Sequence, residues 1–215
     1  YDRKNNLANG EDDRDGDNHN MSWNSGQEGA CDADDIVGLR LRRMKTFVVL
    51  LLLSQGVPMI AAGDEFGRSQ QGDNNAWCQD NHLSWVDWTL LEKNQEFQHF
   101  YKQCIALRKK HKIFRRDDFF LPVDPSGKHS TVAEISWQYL TPSQQNWAVD
   151  CHGLAFLLRV EGNANRGGDF FIMLNGDRNQ TLHFEAPAAP GQGTSWHKII
   201  DTTAAAPEDF RELEE

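Results

Sequence analysis

Ser54-Gln55-Gly56-Val57-Pro58-Met59-Ile60-Ala61-Ala62-Gly63-Asp64-Glu65 joins a helix stop to a short apolar run and a pair of acids. Val57 to Ala62 is too short for a helix and is closed by Gly63, Asp64 and Glu65, so it predicts a short buried strand. Pro58 stands near its first residue, where a missing N–H is tolerated. Upstream, Asp34 and Asp35 are placed to cap a helix. Ile36, Leu39, Met44, Phe47, Val48 and Leu51 then recur at helical spacing over residues 35–54. That helix turns apolar on all sides toward its end, which predicts burial there, and Gly56 is its natural stop. A helix running into a buried strand is an α/β signature.

Outward from this core the chain changes character. Residues 66–82 form a polar loop, and Leu83 to Trp88 end it with aromatic packing residues. A second amphipathic helix is predicted over 94–110. Phe97, Phe100, Tyr101, Cys104, Ile105 and Leu107 make its inner face, and Lys102 and Arg108 to Lys110 complement its C-terminal dipole. From about residue 117, β-type runs at Thr131–Trp137, Leu154–Arg159, Asp169–Leu174, Thr181–Glu185 and Trp196–Ile200 alternate with turn clusters at 124–127, 162–165 and 175–178. This predicts an antiparallel all-β region. Residues 1–33 are dense in Asn, Asp and Gly, a composition that suits either disorder or a long hydrogen-bonded loop.

The 215 residues carry a formal net charge of -10, which argues against a nucleic-acid partner and is indifferent to a neutral polymer. Cys31, Cys78, Cys104 and Cys151 form no CxxC pair, so neither a metal site nor a disulfide framework is predicted and a reduced, cytoplasmic setting is expected. Asp12, Asp13, Asp15 and Asp17 resemble an acidic calcium loop, but the closing Glu is missing at the required offset, so no metal is assigned. The longest apolar run, Phe47 to Leu53, is too short to span a membrane. There is no initiator Met or signal peptide, and the opening Tyr1-Asp2-Arg3-Lys4 suggests an internal start.

Two long, ordered motifs carry a family resemblance. One is Tyr1-Asp-Arg-Lys-Asn-Asn-Leu-Ala-Asn-Gly-Glu-Asp-Asp-Arg-Asp-Gly16, continuing through Asn20, Ser22-Trp23-Asn24 and Gly29. The other is Ser54 to Glu65 followed by Gln71-Gly-Asp-Asn-Asn-Ala-Trp-Cys-Gln-Asp-Asn81. Both resemble the glycogen debranching enzymes and isoamylases of the α-amylase superfamily of glycoside hydrolases. The likeness is close over the first half and looser over the β region, through Trp137, Trp147 and Leu154–Leu158. It implies an α/β plus all-β fold: the C-terminal portion of a (β/α)8 TIM barrel over 1–116, then an antiparallel β-sandwich over 117–215. The barrel portion would hold the loop after strand 7, helix 7 at 35–54, strand 8 at Val57–Ala62 and helix 8 at 94–110. The sandwich would end incomplete in the charged tail Arg211–Glu215.

The resemblance further implies a parent protein that cleaves α-1,6 branch linkages of a branched α-glucan, glycogen or limit dextrin, by a retaining mechanism without a cofactor. The family's nucleophile, acid/base and third Asp are expected upstream of Tyr1, so no residue here is assigned as catalytic. The missing N-terminal half of the barrel is the expected partner, and without it the chain should be inactive and unstable or self-associating. The alternative is a non-catalytic glucan-binding or scaffolding subunit of isoamylase type. Another superfamily member, such as an α-1,4 hydrolase or a branching transferase, fits the two loops less well.

Candidate substrate-binding residues follow from these loops. Asp64 and Glu65 would lie at the barrel mouth, where barrel active sites form, with Asp64 reaching solvent; the alternative is an ion pair or hydrogen bond that shapes the mouth. Asn74 and Asn75 offer donors and acceptors for sugar hydroxyls, and Trp77 a stacking face; the alternative is a loop packed on itself. Asn9 and Asp15, with Asn18 and Asn20, could reach a glucan branch or simply satisfy their own backbone. The family pattern has Asn where Asp73 stands and Tyr where Trp77 stands, which removes a phenol hydrogen bond. His19 is read as a loop residue, and Trp137, Trp147 and Trp196 as packing residues rather than secondary glucan sites.

Overall fold

The computed structural model describes residues 1–122, 133–138, 151–159, 168–177, 180–189 and 193–211. They form two compact units, one of Tyr1–Lys110 with the segment from Lys198 onward, the other of His111–His197.

In the first unit, helix α1 spans Asp34–Leu53 and helix α3 spans Gln95–Lys110, with the short helix α2, Thr89–Lys93, before it. The cap of α1 differs from expectation. Ala33 is the N-cap residue and supplies no side-chain bond, while Asp34 and Asp35 fall in the first turn, where their charge complements the helix dipole. Val48, Val49 and Leu52 of α1 are buried, as are Phe97, Phe100, Tyr101, Cys104 and Leu107 of α3, and the two helices pack together. Ile105 is only half-buried, so the inner face of α3 is narrower than its apolar pattern. Burial pushes the Cys104 thiol up to about 12, which makes it an inert packing group.

The C-terminal end of α1 is held by a side chain from α3. Arg108 donates from Nη1 to the carbonyls of Leu52 (2.6 Å) and Ser54 (2.8 Å), and from Nη2 to that of Gly56 (2.6 Å). The Leu52 carbonyl is one that a helix end leaves unpaired; those of Ser54 and Gly56 lie just beyond the end of α1. Lys45, on the buried face of α1, pairs with Asp209 at 2.6 Å, both side chains being 3% exposed. Lys45 also donates to the Ala204 carbonyl, Thr46 meets Thr202, and the rings of Phe100 and Phe210 meet edge-on. In this way the segment from Lys198 is fastened to the two helices.

Two expectations fail in this unit. Residues 57–61 enter no ladder, and Val57 and Met59 are 96% and 89% exposed. A strand exists only through a paired neighbour, and no described residue pairs with this segment. The end of α1 is likewise not apolar-buried all round, since Phe47 and Leu50 face outward.

The second unit is built on one sheet of four strands in the order β1-β2-β3-β4: Leu121–Pro122, Glu134–Gln138, Gly153–Arg159 and Phe170–Asn175. β2–β3 and β3–β4 are antiparallel, but the two-residue β1 pairs with β2 in parallel, so the sheet is mixed. Ala155, Leu157 and Leu158 of β3 are buried, and Phe114, from the turn Lys112–Arg115, packs on Phe170 with ring centroids 4.6 Å apart. Residues 181–185 and 196–199 are not strands. Ile200 makes only an isolated bridge to Phe210, within the first unit. Alternating side chains were therefore insufficient where no neighbouring backbone completed a ladder. Trp196 donates its indole N–H to the Pro187 carbonyl at 2.7 Å, and Trp137 packs on Phe156. Thr131, Val132, Trp147, the turns at 124–127 and 162–165, and the tail beyond Arg211 lie outside the described residues. No helix among the described residues is long and apolar enough to cross a membrane. The architecture is α/β with a small mixed sheet.

Candidate functional site

The Asn/Asp/Gly-rich opening segment is a folded loop, and its partner is the second polar loop. Asn6, fully buried, pairs reciprocally with Asn74. Its Nδ2 donates to Asn74 Oδ1 (2.8 Å), and its Oδ1 accepts from the Asn74 backbone N–H (3.0 Å). Asn74 Nδ2 donates in turn to the Asp17 carbonyl and to Asn20 Oδ1, both at 2.9 Å. The Asn5 N–H bonds the Gly72 carbonyl at 2.8 Å. A few residues on, Asn9 and Asn75 both donate to Asp15 Oδ2 at 2.8 Å, and the Asn9 Oδ1 accepts from Gln79 at 2.6 Å. The Asn75 and Asn9 amides hold the Asp15 carboxyl below its ordinary range.

Gly16 is what allows the Asn6–Asn74 pair to form. It has φ +71°, and a Cβ there would stand 2.1 Å from Asn74 Oδ1 and 2.5 Å from Asn6 Nδ2. Gly16→Ala is therefore expected to cost about 2 kcal/mol or more, from left-handed backbone strain and a broken buried pair. Amide exchange at Asn74 and Asn75 should accelerate together; unchanged protection there would show that the pair does not hold the loops.

The start of the chain is tied down separately. Glu28 accepts from the backbone N–H groups of Asp2 (3.0 Å) and Arg3 (3.2 Å) and from Asn24 Nδ2 (2.9 Å). The Asp2 bond, followed by that of Asn24, lowers its carboxyl from 4.5 to about 2. A depressed folded-state value means that this anchor is fully present above the ordinary range and is lost as pH falls toward the folded value. The amide resonances of Asp2 and Arg3 should hold their folded positions through pH 4 and shift with a midpoint near 2. A midpoint at the unperturbed value would disprove the anchor.

Tyr1, Asn20, Ser22, Asp64, Arg68, Ser69, Gln70, Gly72, Asp73 and Asn74 line an open cleft of about 540 Å³. The Tyr1 ring lies against Gly72, where a Cβ would come within 2.6 Å of Cδ1. Hydroxyl, amide, carboxylate and guanidinium groups around one phenol ring suit a neutral polyhydroxyl ligand, which needs both donors and acceptors and an apolar face to rest on. With two acids and one base, the lining has no excess positive charge to attract an anion.

The candidate residues separate into three groups. Asp64 and Asn74 both line the cleft, and Asp64 is exposed at the head of the turn Asp64–Phe66. Asn9, Asp15 and Asn75, with Asn74, form the interlock between the loops, so their polar groups are largely engaged with protein. Glu65 and Trp77 do not line the cleft. Glu65 Oε2 accepts from the Gly63 N–H at 2.9 Å and shapes the turn, while Trp77 stands 84% exposed on the turn Ala76–Cys78. His19 is exposed beside Asp17. Tyr1, Arg68, Ser69 and Gln70 were not singled out in the sequence. The one local signal for them is the close pairing of Tyr1 with Gly72, which is not visible without the fold.

No family model matches the chain. It is 47% identical over 156 residues to a glycogen operon protein GlgX homolog of Mycobacterium tuberculosis, covering 73% of this chain and 21% of that protein. It is 35% identical to the chloroplastic isoamylase 1 of Arabidopsis thaliana over 97% of this chain and 25% of the relative. It is 36% identical to a glycogen debranching enzyme of Pectobacterium carotovorum over 92% and 29% respectively. Among solved structures, a pullulanase of Paenibacillus barengoltzii matches 74% of this chain and 21% of its own at TM-score 0.49 and 24% identity, a likeness too weak to carry a structural conclusion. The chain thus spans about a fifth to three-tenths of the length of these three relatives.

Proposed function

The chain belongs, as a segment far shorter than its relatives, to the isoamylase and glycogen debranching family, and on that premise we propose that the whole protein hydrolyses α-1,6 branch linkages of glycogen or limit dextrin. The observation that carries this reading is the cleft. The two loops on which the family likeness rests meet there, and their lining suits a neutral glucan.

The proposed chemistry is retaining, with one carboxylate as nucleophile and a second as acid/base. We assign other work to the acids in and beside the cleft. Among the described residues lining the cleft, Asp64 is exposed and Asp73 is 4% exposed; Glu65 is committed to Gly63. Asp64 would accept from sugar hydroxyls, Tyr1 would support a ring face, and Trp77 would stack on a longer chain outside the cleft. The nucleophile and acid/base would come from other parts of the longer protein. No organic cofactor is required, because carboxylates supply the chemistry.

In the same reading, residues 1–116 close a (β/α)8 barrel and residues 117–215 form an antiparallel β-sandwich. The unpaired apolar segment 57–62 supports the first part: as an eighth barrel strand it would gain both a ladder and a cover. The antiparallel core of β2, β3 and β4 supports the second. A cytoplasmic setting is proposed from the unpaired cysteine usage.

Reducing-end release from a phosphorylase limit dextrin tests the proposal, with the 215-residue chain and the longer protein assayed side by side. Release by the longer protein alone is expected. Release by the chain alone would mean that it carries its own acid and nucleophile, with Asp64 and Glu65 the first to replace. Glucan binding without release by either protein would favour a non-catalytic subunit, a reading that the single exposed acid of the cleft also suits.

A further inference from the structure

Helix α1 carries Arg40 and Arg43 three positions apart, and so on one face. Both reach the same stretch of the opening loop, residues 23–29. Arg40 Nη1 donates to the Gly29 carbonyl (2.7 Å), and its Nη2 to the carbonyls of Asn24 (3.0 Å) and Gln27. Arg43 Nη1 donates to the Trp23 carbonyl (2.7 Å) and to Ser25 Oγ (2.6 Å). Its guanidinium also stands 4.5 Å from the Trp23 ring centroid. Ser25 is 5% exposed and takes φ +67°, a left-handed conformation that a non-glycine residue adopts only where its surroundings impose it. Four carbonyls and this buried hydroxyl thus converge on two guanidinium forks.

The clasped stretch and Ser22 before it in turn hold Tyr1, a wall of the cleft. The Asn24 N–H donates to the Asp2 carboxylate, Glu28 accepts from the N–H groups of Asp2 and Arg3, and Ser22 Oγ donates to the Tyr1 carbonyl at 2.6 Å. The Tyr1 phenol also lies beside Gly29, where a Cβ would stand 3.5 Å from its hydroxyl. Tyr1 and Ser22 line the cleft, whereas Arg40 and Arg43 do not. We propose that Arg40 and Arg43 are positioning residues for the glucan cleft. By clasping residues 23–29 to α1, they set the wall of Tyr1 and Ser22 at its spacing from Gly72 and Asn74. The inference rests on the glucan reading of the cleft. The role is separate from joining the loops, because the bonds of Asn6 with Asn74 and of Asn9 and Asn75 with Asp15 pass through neither arginine. Loosening the clasp therefore moves Tyr1 while the loops stay joined.

The test has a ligand-free arm and a substrate arm. In the 215-residue chain labelled with 3-fluorotyrosine, the fluorine resonance of Tyr1 is assigned with Tyr1→Phe. It should shift or broaden in Arg40→Ala and Arg43→Ala, while the amide resonances of Asn74 and Asn75 keep their positions. In the longer protein, the same variants should raise KM for phosphorylase limit dextrin about tenfold and change kcat less than about twofold, since the displaced wall touches no reacting atom. Arg40→Lys, the milder change, should fall between parent and Arg40→Ala in both arms, because an ammonium keeps the charge but not the fork. Arg42→Ala, at an exposed position of α1, should match the parent throughout. A Tyr1 resonance unmoved in both alanine variants overturns the clasp. A moved resonance with KM unchanged, whether or not kcat falls, overturns its bearing on the substrate. If the parent binds limit dextrin without release, Kd takes the place of KM. If it does neither, the debranching reading fails, and the Tyr1 resonance still decides the clasp.

Discussion

Asp209→Ala is expected to lower the unfolding free energy of the first unit by about 3–5 kcal/mol, because it strands a buried charge. Lys45 is 3% exposed and its ammonium lies 2.6 Å from Asp209 Oδ2. Its other contacts are the Ala204 carbonyl at 3.3 Å and the face of Phe100, 5.5 Å from the ring centroid. None of these replaces a carboxylate. The loss should be specific to the unpaired charge, so Lys45→Met with Asp209→Leu should recover most of it, since an apolar pair of similar volume is commonly neutral or stabilising. Urea unfolding of the parent chain, both single variants and the double variant forms the cycle. A single-variant loss under about 1 kcal/mol, the range of exposed pairs, would mean that the segment from Lys198 does not seal the pair in solution. The same segment carries Asp201, whose carboxyl is lowered from 3.8 to about 2, chiefly by Lys198 and then Thr203. That contribution is present above the ordinary range and is lost as pH falls toward 2.

Arg108→Met should have the second largest effect, about 3 kcal/mol, from the loss of charge-assisted bonds to three carbonyls at and just beyond the end of α1. The carbonyls of Leu52, Ser54 and Gly56 converge on one guanidinium. The apolar stem of methionine keeps much of the packing, which separates the lost bonds from a cavity. Arg108→Lys should restore less than half, because a single ammonium cannot reproduce the fork that spans Nη1 and Nη2. Hydrogen exchange in the last turn of α1 reads this locally: the amides of Leu52 and Leu53 should lose protection before those of Val48 and Val49. Equal loss along the whole helix would assign Arg108 a global packing role instead.

The second effect bears on the cleft. α1 separates the two loops in the chain and ends at Leu53, and the segment leading to Asp64 follows from residues 54–56. A loosened Arg108 contact would let Asp64 drift relative to Asn74, the two candidate residues that share the cleft.

The helices and their buried faces were legible because local apolar period and packing agree: α1 and α3 begin and end within a residue or so of the expected bounds. Strands were less legible. β3 and β4 fall where alternation placed them, but 57–62, 181–185 and 196–199 have the composition of strands and no ladder. A strand exists only through a neighbour, and a sequence does not say which neighbour is present. At the site, the two motif loops pointed to the right segments, and Asn9, Asp15, Asn74 and Asn75 do converge. Their individual roles were not legible, since an Asn that binds sugar and one that binds its neighbour loop have the same side chain.

By itself, the sequence determined two amphipathic helices, a β-rich second half and two polar loops whose ordered motifs identify the family, because each of these is written in local period or contiguous residue order. Only the tertiary structure decided that Asn6 pairs with Asn74, that Asp15 meets Asp73 across Asn9 and Asn75, that Arg108 ends α1, and that Lys45 is buried against Asp209. Each of these joins groups more than fifty positions apart. They are held by hydrogen bonds and charge pairs that become strong once folding removes water from them, and no spacing along the chain records that removal.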